Sequence, residues 1–378
     1  MKILMIARSN LYQFGGGDRV QLLKTKAALE ARGHEVTVAT GYVANARHYD
    51  VVHLFNMMLA PHAFVIHTLS AHRQGKPVAL STIYWNPSEW LEATEKQGVP
   101  THPAAETGPR TGFFDGVPTR TVIWFLLTSR TMQTWLWLSL VRRGSGQASR
   151  FIRRFLLAHV DIILPNGEKE REQVERDFGQ ARRSRFIPNG TDDDFKDAKA
   201  EDFEKQYGKT DFVLHVGRIE TRKNLLAAVR AVRELKLPLV LIGNTTYDPA
   251  YVQAVMQAAP AETLVVPELP YEQLGAAYKA ARVHVIGSWF ETPGLSSLEA
   301  GLAGCNVVST DRGTTTEYFA DLAWYCDPAN PESIKQAIKA AWEAPKSDQL
   351  RRHLLSHYTW AHVAEATEAA YTEIVRAA

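Results

Sequence analysis

Short apolar runs alternate with longer segments of helical period along the first part of the chain. The runs at 3–7, 35–40, 51–55 and 78–82 read as strands, and 20–31 and 60–74 carry apolar residues at the three-to-four spacing of a helix. Such alternation predicts βαβ units around a parallel sheet. The pattern loosens from 89 to 150, then resumes with a run at 162–164, a helix at 168–178 and a run at 185–187. Turn chemistry at Pro188-Asn189-Gly190-Thr191 opens a polar stretch to residue 210, where the interdomain linker is expected. A second series follows, with strands at 212–216, 239–242, 264–266, 283–286 and 307–309 separated by helices at 224–235, 249–259, 271–281 and 295–303. Helical segments at 331–344 and 361–376 come last, with no strand after them. The fold class expected is α/β, with two doubly wound domains whose ligands bind at the carboxyl ends of the strands.

Composition narrows this only slightly. A length of 378 residues suits two domains at about 150 residues each. The mix of 45% hydrophobic and 22% charged residues excludes disorder. The net charge of +2 is uneven: residues 118–160 hold seven arginines (120, 130, 142, 143, 150, 153 and 154) and no acid, leaving −5 for the remainder. Two cysteines, Cys305 and Cys326, are too few for a disulfide framework or a four-ligand zinc site. The first apolar run is too short for a signal peptide and reads as a strand.

Candidate chemistry lies at the strand-to-helix turns. Gly15-Gly16-Gly17 follows the first strand and opens a helix, so backbone N–H groups can approach an anion there. It has neither the dinucleotide fingerprint nor the P-loop ending. In the second domain, Gly217-Arg218 follows a strand and Lys223 sits where a helix begins. Cations near a helix N-terminus are unfavourable by about 0.3–1 kcal/mol unless an anion lies between, which suggests a phosphate ligand; a solvated surface is the alternative. A third turn, Ser288 to Ala300, holds Glu291 in the loop and Glu299 in the helix. One carboxylate suits sugar hydroxyls and the other a ribose.

These pieces, together with Gly33-His34-Glu35-Val36, Asp50-Val51-Val52-His53, Pro188-Asn189-Gly190, Lys223-Asn224 and Glu291-x7-Glu299-Ala300, resemble the retaining nucleotide-sugar-dependent glycosyltransferases of family-four type. The resemblance implies the GT-B fold, two Rossmann-like domains facing a central cleft. Residues 1–188 would form the acceptor-side domain, 189–355 the nucleotide-sugar domain, and 356–378 a helix returning to the first. It implies that Arg218 and Lys223 grip the donor diphosphate, that Glu291 holds the transferred sugar and that Glu299 binds the ribose. Gly217, Gly294, Leu295 and Ser296 would supply backbone contacts, with Gly15, Gly16 and Gly17 closing from the other domain. Preorganised cations and helix amides would stabilise the departing nucleoside diphosphate, so neither a metal nor a cofactor is expected beyond a UDP- or GDP-sugar donor.

The sequence also departs from the family. Many members carry a His-Asp pair after the first domain's fourth strand, whereas this strand continues Ser81-Thr82-Ile83-Tyr84-Trp85-Asn86. Tyr84, Asn86 and Glu89 are left for that space, with Tyr84 assigned as a substrate contact and core packing as the alternative. His53 reads as a satisfied structural residue. Asp192-Asp193-Asp194 looks like a metal-binding Asp-x-Asp, but its place after Gly190 makes it a solvated linker.

Residues 118–160 resemble a membrane-surface helix through Val122-Ile123-Trp124-Phe125-Leu126-Leu127, Trp135-Leu136-Trp137-Leu138 and the arginines, while buried helices of the first domain are the alternative. Arg130 near the middle costs about 2.5–3.5 kcal/mol on insertion, against a transmembrane span. The resemblance and this segment together imply a cytoplasmic retaining hexosyltransferase, peripheral at the inner face of the plasma membrane. Its acceptor would be a glycan or lipid-linked sugar in cell-surface polysaccharide assembly, with no nucleic-acid partner. A soluble enzyme acting on a small sugar or metabolite, and a non-catalytic nucleotide-sugar-binding protein, stand beside that reading.

Overall fold

A computed structural model describes residues 1–13, 15–96, 117–128, 146–246 and 248–377, which hold eleven strands and fifteen helices. The chain divides into two compact units. Unit 1 takes residues 1–84, the described part of 107–188, and 361–377; unit 2 takes 85–96 and the described part of 189–360.

In unit 1, β1 (Lys2–Ile6), β2 (Glu35–Ala39), β3 (Val51–Phe55), β4 (Val78–Ser81) and β5 (Ile162–Leu164) form a parallel sheet in the order β2-β1-β3-β4-β5. Every residue of β3, β4 and β5 is buried. Helices cover both faces of such a sheet, so its strands read as mostly apolar runs rather than alternating ones. The helices of this unit are α1 (Gly17–Ala31), α2 (Pro61–Arg73), α4 (Thr119–Thr128), α5 (Gly146–His159) and α6 (Glu168–Phe178), while α3 (Ser88–Lys96) groups with unit 2.

In unit 2, β6 (Val213–Val216), β7 (Leu239–Ile242), β8 (Leu264–Val266), β9 (Val283–Ile286), β10 (Asn306–Thr310) and β11 (Trp324–Cys326) form a parallel sheet in the order β11-β10-β9-β6-β7-β8. This is the dinucleotide-binding strand order, which reverses between β6 and β9. Side chains alternate faces along β6: Leu214 joins Phe212, Val240 and Leu298 in one core, and Val213 joins Leu241, Val285 and Ile338 in the other. Each such side chain contributes about 1.5–3 kcal/mol by leaving water. The covering helices are α7 (Ala200–Tyr207), α8 (Leu225–Glu234), α9 (Pro249–Ala258), α10 (Tyr271–Ala280), α11 (Leu295–Ala303), α12 (Thr315–Phe319), α13 (Pro331–Glu343) and α14 (Gln349–His357). The start of α13 is fixed locally: Pro331 occupies its first turn and the Asn330 side chain accepts from the N–H groups of Glu332 and Ser333. Asn330→Ala would cost about 1 kcal/mol.

The last helix, α15 (Trp360–Ala377), groups from residue 361 onward with unit 1. The reason is polar as well as apolar. Buried His53 on β3 pairs through Nδ1 with the Tyr371 hydroxyl at 2.6 Å and through Nε2 with Ser81 Oγ at 2.9 Å. Burial drives its pKa down to about 3, so the imidazole is neutral and structural, as its place on an apolar strand predicts. Arg32 adds an ion pair with Glu368 at 2.6 Å.

Three local expectations are corrected. Residues 185–187 form no strand, because only an isolated bridge between Ile163 and Ser184 extends the sheet there. The polar stretch after residue 190 contains the helix α7, which buries Phe203. Asp192 is not a solvated linker residue, since its carboxylate accepts from the Tyr271 hydroxyl at 2.8 Å.

Candidate active site

Where strand order reverses, the loops after two neighbouring strands diverge and leave a crevice. In unit 2 that point lies between β6 and β9, and Gly217 to Lys223 and Gly287 to Gly294 leave from those two strands. Gly217 turns the chain at φ +150°, with its N–H donating to Ile242 O at 2.9 Å. Gly243, at φ +153°, backs it so closely that a Cβ there would lie 1.9 Å from Gly217 O. A single turn of 3-10 helix, Thr221–Lys223, then carries two cations into the crevice.

The core of the site is a buried cluster of charge. Lys223 Nζ donates to Glu291 Oε1 at 2.6 Å, and Ser288 Oγ donates to the same oxygen at 2.6 Å. Arg222 reaches Glu291 at 3.7 Å and Glu220 at 3.1 Å, and also donates to Phe290 O. Arg218, more exposed, meets Glu220 at 3.5 Å. Burial by itself would raise the Glu291 pKa, but the charges of Lys223 and Arg222 and the hydrogen bonds hold it at about 2. Burial lowers the pKa of Lys223, and Glu291 opposes that shift. Three cations, Arg218, Arg222 and Lys223, gather here with the carboxylates of Glu220 and Glu291, a concentration of donors suited to an anion.

The main chain of Glu291 is fixed from behind. Thr314 N donates to its carbonyl at 3.0 Å, and Gly313, at φ +92°, lies so close that a Cβ would sit 1.9 Å from that oxygen. Beyond it, Gly294 at φ +89° caps α11. The first turn of that helix presents the N–H groups of Leu295 and Ser296, which a helix does not satisfy internally. Glu299 follows one turn later, buried, with Oε2 accepting from the Tyr278 hydroxyl at 2.7 Å. Tyr271 stands 3.3 Å from Oε1.

Of the residues singled out in the sequence, Gly217, Arg218, Lys223, Glu291, Gly294, Leu295, Ser296 and Glu299 therefore lie on unit 2, in the loops after β6 and β9 and on α11. Lys223 and Glu291 touch directly; Glu299 belongs to a separate tyrosine network. Gly15, Gly16, Gly17 and Tyr84 belong to unit 1. A Cβ on Gly15 would meet nothing within 4 Å. On Gly16 it would lie 2.9 Å from Asp18 Oδ1, a carboxylate turned towards the buried Arg8 with which it pairs at 2.9 Å. Tyr84 is a core residue: it is 4% exposed, its ring packs on Phe178 and its hydroxyl donates to Asp177. Its backbone N–H and the Thr82 hydroxyl both donate to buried Glu170.

Sequence reasoning missed Arg222, Ser288, Gly243, Gly313, Tyr271 and Tyr278. Arg222 was legible as a second cation beside Lys223. The two glycines act through main-chain approaches between distant segments, for which no local signal exists. A cavity of about 560 Å³, lined by Thr221, Asn224, Tyr251 and Trp289 among others, lies behind the 3-10 turn rather than at the charged cluster.

Comparison with known proteins bears on this geometry. Residues 197–354 match the family model of glycosyl transferases group 1. The O-antigen chain mannosyltransferase B of Escherichia coli is 27% identical over 135 residues, 34% of this chain and 35% of that protein. The glycogen synthase of Mycobacterium tuberculosis is 28% identical over 176 residues, 42% of each. The aligned stretch thus spans less than half of either relative. Among solved structures, Anabaena HepE in complex with UDP superposes with a TM-score of 0.70 at 14% identity, covering 99% of this chain and all of that one. The sucrose-phosphate synthase of Thermosynechococcus elongatus gives 0.67 at 18% identity, covering all of both. The chain therefore has the GT-B fold, and its residues 197–354 match the model of the group 1 glycosyltransferases.

Proposed function

We propose that the protein is a retaining, metal-independent hexosyltransferase that moves a sugar from a UDP- or GDP-sugar to a glycan or lipid-linked acceptor in cell-surface polysaccharide assembly. The observation that carries the reading is the convergence of Arg218, Arg222 and Lys223 on Glu220 and Glu291, at the strand-order reversal of unit 2 and just ahead of α11. Cleavage of the sugar–phosphate bond leaves growing negative charge on the diphosphate, and fixed cations and amides stabilise that charge without reorganising. In this reading Arg218 and Lys223 meet the diphosphate and Glu291, held open-armed by Lys223 and Ser288, takes sugar hydroxyls. The backbone of Gly217, Gly294, Leu295 and Ser296 completes the donor contacts, and Glu299 takes the ribose. A protein nucleophile is not required, because the departing phosphate takes the acceptor's proton on the same face. The solved complexes of HepE with UDP and with UDP-glucose support a nucleotide-sugar donor, and the mannosyltransferase relative supports a polysaccharide role.

A membrane-surface location, on the cytoplasmic side, is part of the proposal. Helix α4 exposes Ile123, Trp124 and Leu127 at 50%, 52% and 73%, three of the five large apolar side chains so exposed among the described residues. Arg120 lies on the same helix and the Arg73 guanidinium sits 4.8 Å from the Trp124 ring. Exposed apolar groups beside arginines suit an anionic bilayer, at about 1 kcal/mol per basic residue. Among the described residues no helix is long and apolar enough to cross a membrane. Arg130, Trp135, Trp137, Arg142 and Arg143 lie outside the described residues.

The test is a screen of UDP-, GDP- and ADP-sugars by thermal shift and nucleoside diphosphate release, with and without EDTA, followed by NMR of the product anomer. The expected result is one donor class that raises Tm, turns over in EDTA and keeps its anomeric configuration. Stabilisation by a donor that is never turned over, across glycan and lipid-linked acceptors, would instead identify a binding protein. Turnover only with small soluble sugars would identify a metabolite-modifying enzyme.

A further inference from the structure

The turn that carries Arg222 and Lys223 has a second side. Those two cations reach Glu291, whereas Thr221 at the start of the turn and Asn224 just after it line the cavity of about 560 Å³ behind. Sites for small molecules enclose roughly 300–1,000 Å³ and combine apolar walls with a few polar groups. Trp289 forms one wall, with its N–H donating to Arg222 O at 3.0 Å, and Leu226, Ala227 and Ala231 of α8 add aliphatic surface. Two hydroxyls of the lining are left incomplete. The Tyr251 hydroxyl accepts from Leu226 N–H at 3.0 Å, and burial pushes its pKa far up, so it keeps a proton for which no acceptor stands among the described residues. Thr221 is buried, and its Oγ1 has no partner among the described residues, a cost to stability that valine would not carry. The charged lining groups balance in sign. Lys335 pairs with Glu332 at 2.6 Å and Glu234 at 3.1 Å, and exposed Arg230 has no carboxylate partner among the described residues.

We infer that this cavity is a second ligand site of unit 2, separate from the charged cluster, and that it takes a neutral polyhydroxylated ring, a saccharide unit. The ring's C–H face meets Trp289 and the aliphatic wall. Its hydroxyls accept from Tyr251 and Arg230, complete Thr221 and donate to the carboxylates of Glu234 and Glu332. An ion finds no net charge to hold it, with two cations and two carboxylates in the lining. A purely apolar ring leaves the Tyr251 and Thr221 hydroxyls as incomplete as before. The inference does not depend on the reading of the charged cluster as the donor site.

The experiment is saturation-transfer NMR of the full-length chain with the methyl glycosides of glucose, mannose and galactose. Cyclohexanol and cyclohexanecarboxylate serve as the apolar and ionic ring controls, and the best glycoside is then titrated with and without UDP or GDP. At least one glycoside should bind, the two controls should not, and the nucleotides should leave its affinity within about twofold. Ala227→Trp, which fills the cavity from a half-buried helix position, should weaken binding at least about tenfold. Thr221→Val keeps the side chain's shape and should weaken binding about fivefold, the worth of one hydrogen bond, while Tm stays or rises. A threonine with only a structural role predicts the reverse, a lower Tm and unchanged affinity. That result overturns the inference, as do a wild type that binds no glycoside, controls that bind equally well, or an Ala227→Trp chain with wild-type affinity. Displacement of the glycoside by UDP or GDP would move the sugar to the charged cluster and overturn it too. A chain whose glycoside binding depends on Thr221 and Ala227 but which binds neither nucleotide upholds the inference and overturns the donor reading instead.

Discussion

Gly313→Ala probes the support behind Glu291 without touching any charged group. A Cβ at position 313 would lie 1.9 Å from the Glu291 carbonyl oxygen, 2.8 Å from its carbon and 2.9 Å from its nitrogen. Carbon and oxygen need about 3.3 Å, so the two segments must part by about 1.4 Å. The φ of +92° adds strain of about 1–2 kcal/mol for any side chain, and forced repacking about 1–3 more. Together the cost is about 2–5 kcal/mol, or a fall in Tm of about 4–20 °C for a unit of this size. The same displacement draws the Glu291 carboxylate away from Lys223 and Ser288, so donor affinity should fall with it. Thermal unfolding and donor titration of the variant check both effects. Gly15→Ala is the contrast: a Cβ there meets nothing within 4 Å, so its Tm should match wild type. A Gly313→Ala chain with wild-type Tm and donor affinity would refute the argument that this glycine exists to let Glu291 approach.

Lys223→Met leaves buried Glu291 without its 2.6 Å partner, which should cost about 3–5 kcal/mol of stability and about 10²–10³ in kcat; steady-state kinetics with an unchanged kcat would remove Lys223 from the leaving-group role. Acid should destabilise the fold in two stages. Buried His67 and His215, with pKa values near 4, and His53, near 3, stay neutral in the folded chain. Unfolded imidazoles bind protons below about 6.5, so stability falls with pH from there at about 1.4 kcal/mol per unit for each histidine. Glu291 contributes above its ordinary pKa of 4.5, and that contribution fades as pH drops through about 2. Urea midpoints measured from pH 8 to 4.5 should decline below pH 6.5, and a flat profile would contradict the burial of those histidines. Ile123→Glu with Leu127→Glu should cut co-sedimentation with anionic vesicles at least about tenfold without lowering Tm; binding that survives both changes would place the membrane surface elsewhere.

What could be read along the chain follows from how each element is buried. Strands β3, β6, β7 and β9 stand inside parallel sheets, and their predominantly apolar runs, broken only by a buried histidine in β3, β6 and β9, announced them. Strand β11 was missed because Trp324, Tyr325 and Cys326 form a three-residue edge whose first two members are only half-buried. Helix α7 was missed because its sequence is polar apart from Phe203 and its two ends. At the site, Lys223 and Glu291 each stood out at a strand end. Their contact spans 68 residues and has no sequence signal. Tyr84 has the composition of a ligand contact or of a core aromatic equally, and only its burial against Phe178 and Asp177 decides between them.

The pairing of His53 with Tyr371 sets an order of events during synthesis. These partners are 318 residues apart, so at a translation rate of about 5–20 residues per second β3 waits roughly 15–60 s for the helix that satisfies it. Unit 2, apart from the 85–96 segment, is one contiguous stretch of chain and emerges in between. The nascent chain therefore carries a nearly finished unit 2 while its first sheet still lacks the helix that covers it.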